Sequence, residues 1–163
     1  MLAHPAVRFA TLADAADIAE LSRDAIEYGL PWSWTVGRVR HAIEAPDTNV
    51  VVVDGPGRLD ALGIMAYPGE DAHLLLFAVR AAGRRRGIGS AMLAWLEAVA
   101  RAAGASRIRV EARRDNAAAR SFYNEHGYQE LVILPRHYSG VADGVRLEKW
   151  LRPRNSGAAN SGE

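Results

Sequence analysis

The residues best placed to do chemistry are Arg84, Arg85, Arg86, Gly87, Ile88 and Gly89, which separate the apolar run His73 to Val79 from the helical spacing that begins at Ser90. An apolar run too short for a buried helix, a basic glycine-containing loop and then an amphipathic pattern predict a central strand, an anion-binding turn and a helix start. Glycine has no Cβ, so backbone can approach a ligand at Gly87 and Gly89, and the first-turn N–H groups of the helix point at whatever lies above them. The helix dipole adds roughly half a positive charge at that end, and the arginines add full ones. A pyrophosphate matches this chemistry; a solvated arginine run beside an ordinary turn is the plain alternative. A P-loop fails, because no lysine precedes Ser90 and the chain's only lysine is Lys149. A dinucleotide-binding GxGxxG loop starts well at Gly87 and Gly89, with Glu111 about where a ribose-binding acid belongs. Its third small position is Met92, however, and seven residues separate Val79 from Gly87, where that fold turns tightly.

The elements that must position this loop follow from periodicity. Val7 to Ala10 reads as a short strand, and Thr11 as the cap of a helix with Leu12, Ala15, Ile18, Ala19, Ser22, Ala25 and Ile26 along one face, ending near Gly29. Trp32 and Trp34 follow in a loop, as core anchors or as a wall of a substrate pocket, before a short helix from Val36 to Glu44. Asn49 to Val53 and Leu59 to Tyr67 flank Asp54-Gly55-Pro56-Gly57 and form a hairpin. Pro68-Gly69 then turns the chain into the His73 strand, so three successive strands are antiparallel. Alternation puts His73, Leu75, Phe77 and Val79 on one face. A lone strand histidine is a packed or rim residue, or an auxiliary base.

Beyond the loop, Ala91, Met92, Trp95, Val99 and Ala102 mark the buried face of a helix that stops at Gly104. Arg107 to Ala112 alternates strictly, with Arg107, Arg109 and Glu111 on a polar face and Ile108, Val110 and Ala112 on an apolar one. The intervening helix makes this strand the parallel neighbour of the His73 strand through a right-handed crossover. Asn116 precedes a short helix, Ala117 to His126, closed by Gly127, and Tyr128 to Leu134 pairs with a last strand from about Gly144 to Leu151.

Composition narrows the function classes. The 163 residues predict a single domain over 1–152, while 153–163, almost without apolar mass, reads as a disordered tail. With 20 basic against 19 acidic side chains, no field-driven attraction to nucleic acid or membrane is expected. Zero cysteines exclude disulfides, thiolate metal sites and a cysteine nucleophile. No apolar stretch reaches spanning length, and the cytoplasm is the expected compartment.

The spacing of Arg84, Gly87 and Gly89 resembles the acetyl-CoA loop of the GNAT superfamily of N-acetyltransferases, whose signature is Gln or Arg, any two residues, Gly, any residue, Gly or Ala. Asn116, Ala119, Tyr123, Gly127 and Tyr128, in DNAAARSFYNEHGYQE, resemble the segment after the fifth strand of those enzymes. The two matches span Val79 to Tyr128. The resemblance implies an α/β (α+β) fold with a mixed, mostly antiparallel sheet splayed around a central parallel strand pair and helices on both faces. It also implies acetyl-CoA wedged into the opening, met by Phe77, Ala78 and Val79, by Arg84, Arg85, Arg86, Gly87, Ile88, Gly89 and Ser90, and by Asn116, Ala119 and Tyr123. In that family the tyrosine matching Tyr123 protonates the departing CoA thiolate, a role a phenol of pKa about 10 can fill at neutral pH.

Amine attack on a thioester needs a neutral amine, so a base is required, more urgently for a lysine than for an α-amine. Glu111, on its polar strand face, suits that role; a surface pair with Arg109 or Arg113 is the competing reading. The run VEARRDNAAARSFYNEHGY looks like that of bacterial and archaeal protein N-terminal acetyltransferases of the ribosomal-protein-alanine type, in which a glutamate five before the asparagine is the base. Pro31-Trp32-Ser33 and Pro135-Arg136-His137-Tyr138 look similar too, but His137-Tyr138 stands where that group has paired tyrosines. The expected reaction is direct acetyl transfer from acetyl-CoA to a primary amine, without a metal, by a monomer or homodimer. A protein or peptide N-terminus is the first acceptor class, with Trp32, Trp34, His73 and Tyr138 as acceptor-side residues. A small amine such as an amino acid, polyamine or drug is the second, and a non-catalytic acyl-CoA sensor is the third reading.

Overall fold

The computed structural model describes residues 6–80 and 87–153. Seven strands form one sheet in the order β1-β2-β3-β4-β5-β7-β6: β1 Val7–Phe9, β2 Thr48–Asp54, β3 Leu59–Ala66, β4 Ala72–Val79, β5 Arg107–Arg113, β6 Gln129–Tyr138 and β7 Ala142–Trp150. Four helices cover it, α1 Ala15–Ala25, α2 Val36–Glu44, α3 Ile88–Ala102 and α4 Ala117–Glu125. Among the described residues only β4 and β5 pair in parallel; the other neighbouring pairs are antiparallel. The expected fold class, parallel pair and α2 boundaries all agree with this arrangement. Among the described residues no helix is long and apolar enough to cross a membrane. The segment expected to be a tail lies, from residue 154 on, outside the described residues, as do residues 81–86.

Alternation of side chains builds two cores. In β2, Val51 and Val53 face the core under α3, while Val50 and Val52 face the core under α1 and α2. β-branched residues suit such a strand because both faces are buried. β3 repeats the division, with Ala61 and Met65 on the α3 side and Leu62 and Ile64 on the other. At Gly63 a Cβ would stand 3.0 Å from a Leu96 methyl and 3.3 Å from Val51, so glycine lets α3 settle close to the sheet without displacing those side chains.

Two sequence expectations are corrected by packing. The buried stripe of α3 is Ile88, Gly89, Met92, Leu93, Leu96, Glu97 and Ala100, so of the expected stripe Met92 is buried while Ala91, Trp95, Val99 and Ala102 are not fully so. A charged residue inside an apolar stripe misleads a periodicity count. Glu97 is tolerated there because both its oxygens take hydrogen bonds from Lys149 Nζ, at 2.9 and 3.0 Å. Trp95 lies on the flank of the helix, edge-to-face with Phe9 at 5.1 Å.

The second correction concerns β4. Ile64 pairs with Leu76 but Met65 pairs with Leu74, so Leu75 is an extra residue, a β-bulge. Ala72 and Leu74 therefore face the α3 core, Leu76 and Ala78 the α1/α2 core, and Phe77 and Val79 pack back on the α3 side. His73 does not share a face with Phe77 and Val79; it lies on the opposite side of the sheet, with Glu111. The same bulge opens the sheet. β4 and β5 pair only through Ala72↔Ile108, His73↔Arg109 and Leu74↔Val110, after which they diverge.

Candidate active site

The divergence of β4 from β5 leaves a cavity of about 370 Å³. Its walls come from the α1–α2 loop (Ile26, Glu27, Leu30, Pro31, Ser33, Trp34), Arg38 of α2, His73 to Phe77 of β4 and Val110 to Arg113 of β5. Asn116, Ala119 and Tyr123 close it from the α4 side, and His137, Tyr138 and Ser139 from the β6–β7 hairpin. Fold and cavity are thus one feature, since the bulge that splits the strands also makes the room.

Glu111 sits on the polar face of β5 with its side chain 11% exposed. Its Oε2 lies 2.5 Å from His73 Nε2 and its Oε1 3.4 Å from Arg146 Nε. Burial pushes the carboxyl up, but the hydrogen bond and charge of His73, joined by Arg146, outweigh it, so the carboxyl lies below the usual glutamate range. An ionised carboxylate only accepts, so His73 Nε2 carries the proton and donates it to Glu111, leaving Nδ1 as the second nitrogen of the ring. Arg109 and Arg113, considered as partners for Glu111 from the strand pattern, turn elsewhere. Residues two apart on one strand are farther from each other than cross-strand neighbours, and Arg146 is directly opposite Glu111 in the β5–β7 register.

Tyr123 is buried against Phe77, Phe122 and Tyr128, with ring centroids 6.1, 5.5 and 5.5 Å away. Burial, with a smaller effect of Tyr138, pushes its phenol well above the usual tyrosine range, so it stays protonated across the neutral range. Tyr138 is pushed up as well, by burial and by the charge of Glu111. The Asn116 side-chain oxygen accepts the Ala119 N–H at 3.0 Å as the cap of α4, which leaves its NH₂ to donate to a ligand.

At the far end of the opening, Gly87 caps α3 with φ 74°, a left-handed conformation that suits glycine. Gly89 serves packing: a Cβ there would meet the Phe122 ring at 3.3 Å and Val79 at 3.4 Å. Ile88 is buried, and Ser90 Oγ lies 2.9 Å from His126 Nε2. Arg84, Arg85 and Arg86 lie outside the described residues.

The acetyltransferase (GNAT) family profile matches residues 21–128. The chain belongs to the GNAT acetyltransferase family. An uncharacterized N-acetyltransferase of Methanocaldococcus jannaschii is 29% identical over 137 residues, 83% of this chain and 85% of that protein. Among solved structures, Ard1 from Thermoplasma volcanium superposes with a TM-score of 0.79 at 23% identity, covering 91% of this chain and 98% of that one. The ribosomal-protein-S18-alanine N-acetyltransferase from Escherichia coli gives 0.77 at 20% identity, covering 94% and 98%. The PaiA N-acetyltransferase from Thermoplasma acidophilum, solved in complex with coenzyme A, gives 0.75 at 16% identity, covering 91% and 99%. These structures share the fold, and GNAT acetyltransferases use acetyl-CoA as acetyl donor.

For this GNAT chain the structure brings Trp34, His73, Glu111, Asn116, Ala119, Tyr123 and Tyr138 together around one cavity. Trp32 is left out of it: the residue is 42% exposed, with the Arg23 guanidinium 5.7 Å from the ring centroid. Three residues not singled out in the sequence, Arg146, Glu27 and Arg38, help shape the site, as does Arg113, read from the sequence only as a partner for Glu111. Arg146 reaches Glu111. Arg113 donates to the carbonyls of Tyr28 at 2.7 Å and Ile26 at 3.5 Å and stacks on Tyr28, tying the α1–α2 loop to the end of β5. Glu27, buried and paired with no cation among the described residues, accepts from Ser22 Oγ, from the N–H and hydroxyl of Ser33 and from the Trp34 N–H, which folds that loop over the cavity. Arg38 stacks its guanidinium on Trp34 at 3.8 Å. None of these roles was legible in the sequence; that of Arg146 follows from the β5–β7 register.

Proposed function

We propose that this chain transfers acetyl from acetyl-CoA directly to the α-amine of a protein or peptide N-terminus. The observation that carries the reading is that the His73–Glu111 pair and the phenol of Tyr123 line one cavity at the open end of the β4–β5 pair. The thioester would lie along β4 near Phe77, Ala78 and Val79, the pantetheine near Asn116 and Ala119, and the pyrophosphate over Gly87 to Ser90 with Arg84, Arg85 and Arg86. The amine nitrogen attacks the thioester carbonyl, and the C–N bond forms as the N–H proton passes to the His73–Glu111 pair. The tetrahedral intermediate collapses, the C–S bond breaks, and Tyr123 gives its proton to the thiolate.

The pair suits the task better than Glu111 alone. An α-ammonium has a pKa near 8, and a carboxylate below its usual range is more than three units too weak a base. An imidazole is nearer in basicity, and a carboxylate on its other nitrogen fixes the tautomer and stabilises the imidazolium. The likeness to a ribosomal-protein-S18-alanine N-acetyltransferase supports a protein acceptor. One observation favours the small-amine reading, since about 370 Å³ is within the range of pockets that enclose small molecules.

Release of the CoA thiol tests the proposal across N-terminal peptides, the same peptides with blocked termini, and small amines. Turnover on free termini, lost on blocking and sharply reduced in Glu111→Gln and Tyr123→Phe, is the expected result. Turnover confined to small amines would overturn the acceptor assignment, and binding of acetyl-CoA without turnover on any amine would favour an acyl-CoA sensor.

A further inference from the structure

The charged side chains lining the cavity are unequal in how they are satisfied. Both oxygens of Glu27 are occupied by the Ser22, Ser33 and Trp34 donors, and Glu111 is held by His73 and Arg146. Arg113 spends its guanidinium on two carbonyls and on Asp115. Arg38 is different. It sits in the first turn of α2, where the Thr35 hydroxyl accepts its backbone N–H at 3.3 Å, and its guanidinium carbon lies over the Trp34 ring, 3.8 Å from the centroid. Among the described residues no carboxylate pairs with it.

A guanidinium stacked on an indole keeps its plane fixed and leaves its N–H edge free, the geometry that grips a carboxylate through parallel hydrogen bonds. Trp34 itself is 8% exposed and anchored in the α1/α2 core, so the platform is rigid. We propose that the acetyl acceptor carries a carboxylate close to its amine, and that Arg38 on its Trp34 platform binds it. The inference rests on the amine-acetylating reading above and sharpens it to an acidic acceptor class. That carboxylate could belong to an acidic residue near a peptide N-terminus or be the α-carboxylate of a free amino acid; the recognising chemistry is the same.

The test uses peptides with a free N-terminal alanine that differ only at the second or third residue, as Asp, Asn or Lys, together with free alanine and alaninamide. A charge-assisted hydrogen bond at a partly exposed site gives about tenfold in kcat/KM for Asp over Asn, or for alanine over alaninamide. In Arg38→Gln that ratio falls to about one, and in Arg38→Glu it inverts toward Lys. Preference within the peptide set puts the carboxylate on a polypeptide; preference confined to free alanine puts it on a small molecule. Equal turnover of each acidic and neutral pair, or an acid preference that survives in Arg38→Gln, overturns the role of Arg38 and leaves amine acetylation standing. Acetyl-CoA binding with no amine acetylated overturns both. Calorimetric titration with acetyl-CoA checks that each variant retains its cofactor site.

Discussion

Replacing Glu111 by Gln keeps the shape of the side chain and an oxygen for the His73 N–H, yet removes the charge that would stabilise a protonated imidazole. Two unit charges about 4 Å apart at an effective dielectric near 20 interact by about 4 kcal/mol. The His73 side chain is 32% exposed, and solvent screening reduces this to about 2 kcal/mol, about a 30-fold loss in kcat. Were Glu111 alone the proton acceptor, its loss would cost about 10²- to 10⁴-fold, and His73→Ala would cost little. If the two act as one base, His73→Ala is at least as damaging as Glu111→Gln, and the double variant is no slower than the worse single variant. The assay is steady-state thiol release on an N-terminal peptide for all four proteins, with acetyl-CoA binding measured in parallel. A Glu111→Gln enzyme within threefold of wild type, or losses that multiply in the double variant, would refute the reasoning.

Other consequences concern separate parts of the molecule. Tyr123→Phe should lower kcat by about 10²-fold or more with little change in the KM for acetyl-CoA, because the ring still packs on Phe77 and Tyr128; thiol-release kinetics decide this. Lys149→Met strands the buried Glu97 carboxylate and should destabilise by about 3 kcal/mol in urea unfolding, whereas Glu97→Leu combined with Lys149→Met should come back to within about 1 kcal/mol of wild type. Hydrogen bonds from Arg8 hold Asp14 and Asp54 below the usual aspartate range. Their contribution is present above the unfolded-state pKa near 4 and is lost as pH falls through the lower folded values. Arg8→Met should therefore cost about 1 kcal/mol at pH 7, a difference that narrows below pH 4 in pH-resolved unfolding curves.

Local periodicity made much of this fold legible. The bounds of α2 were readable, as were β5 from strict alternation and the β4–β5 parallel pairing from the helix between them. Glu111, Asn116 and Tyr123 stood out because their spacing along one segment resembles that of GNAT enzymes. What stayed hidden depends on partners distant in sequence. The Leu75 bulge is an offset between β3 and β4, invisible within β4 alone, and it moved His73 to the side of Glu111. Glu97 belongs to the buried stripe of α3 only because Lys149 meets it from β7. Arg146 reaches Glu111 by register across the sheet, and the Trp34–Arg38 stack forms only once the α1–α2 loop has folded around Glu27. The role of glycine also divided: Gly87 is favoured by its left-handed backbone, while at Gly89 the close Phe122 ring favours the absence of a Cβ.

The central claim, that this cavity acetylates an N-terminal α-amine, is tested most directly by tandem mass spectrometry of a peptide bearing both a free N-terminus and an internal lysine after incubation with acetyl-CoA. The account predicts acetyl on the α-amine, in wild type and far less in Glu111→Gln or Tyr123→Phe. Acetyl found only on the lysine side chain, or on neither amine while acetyl-CoA is bound, would contradict it.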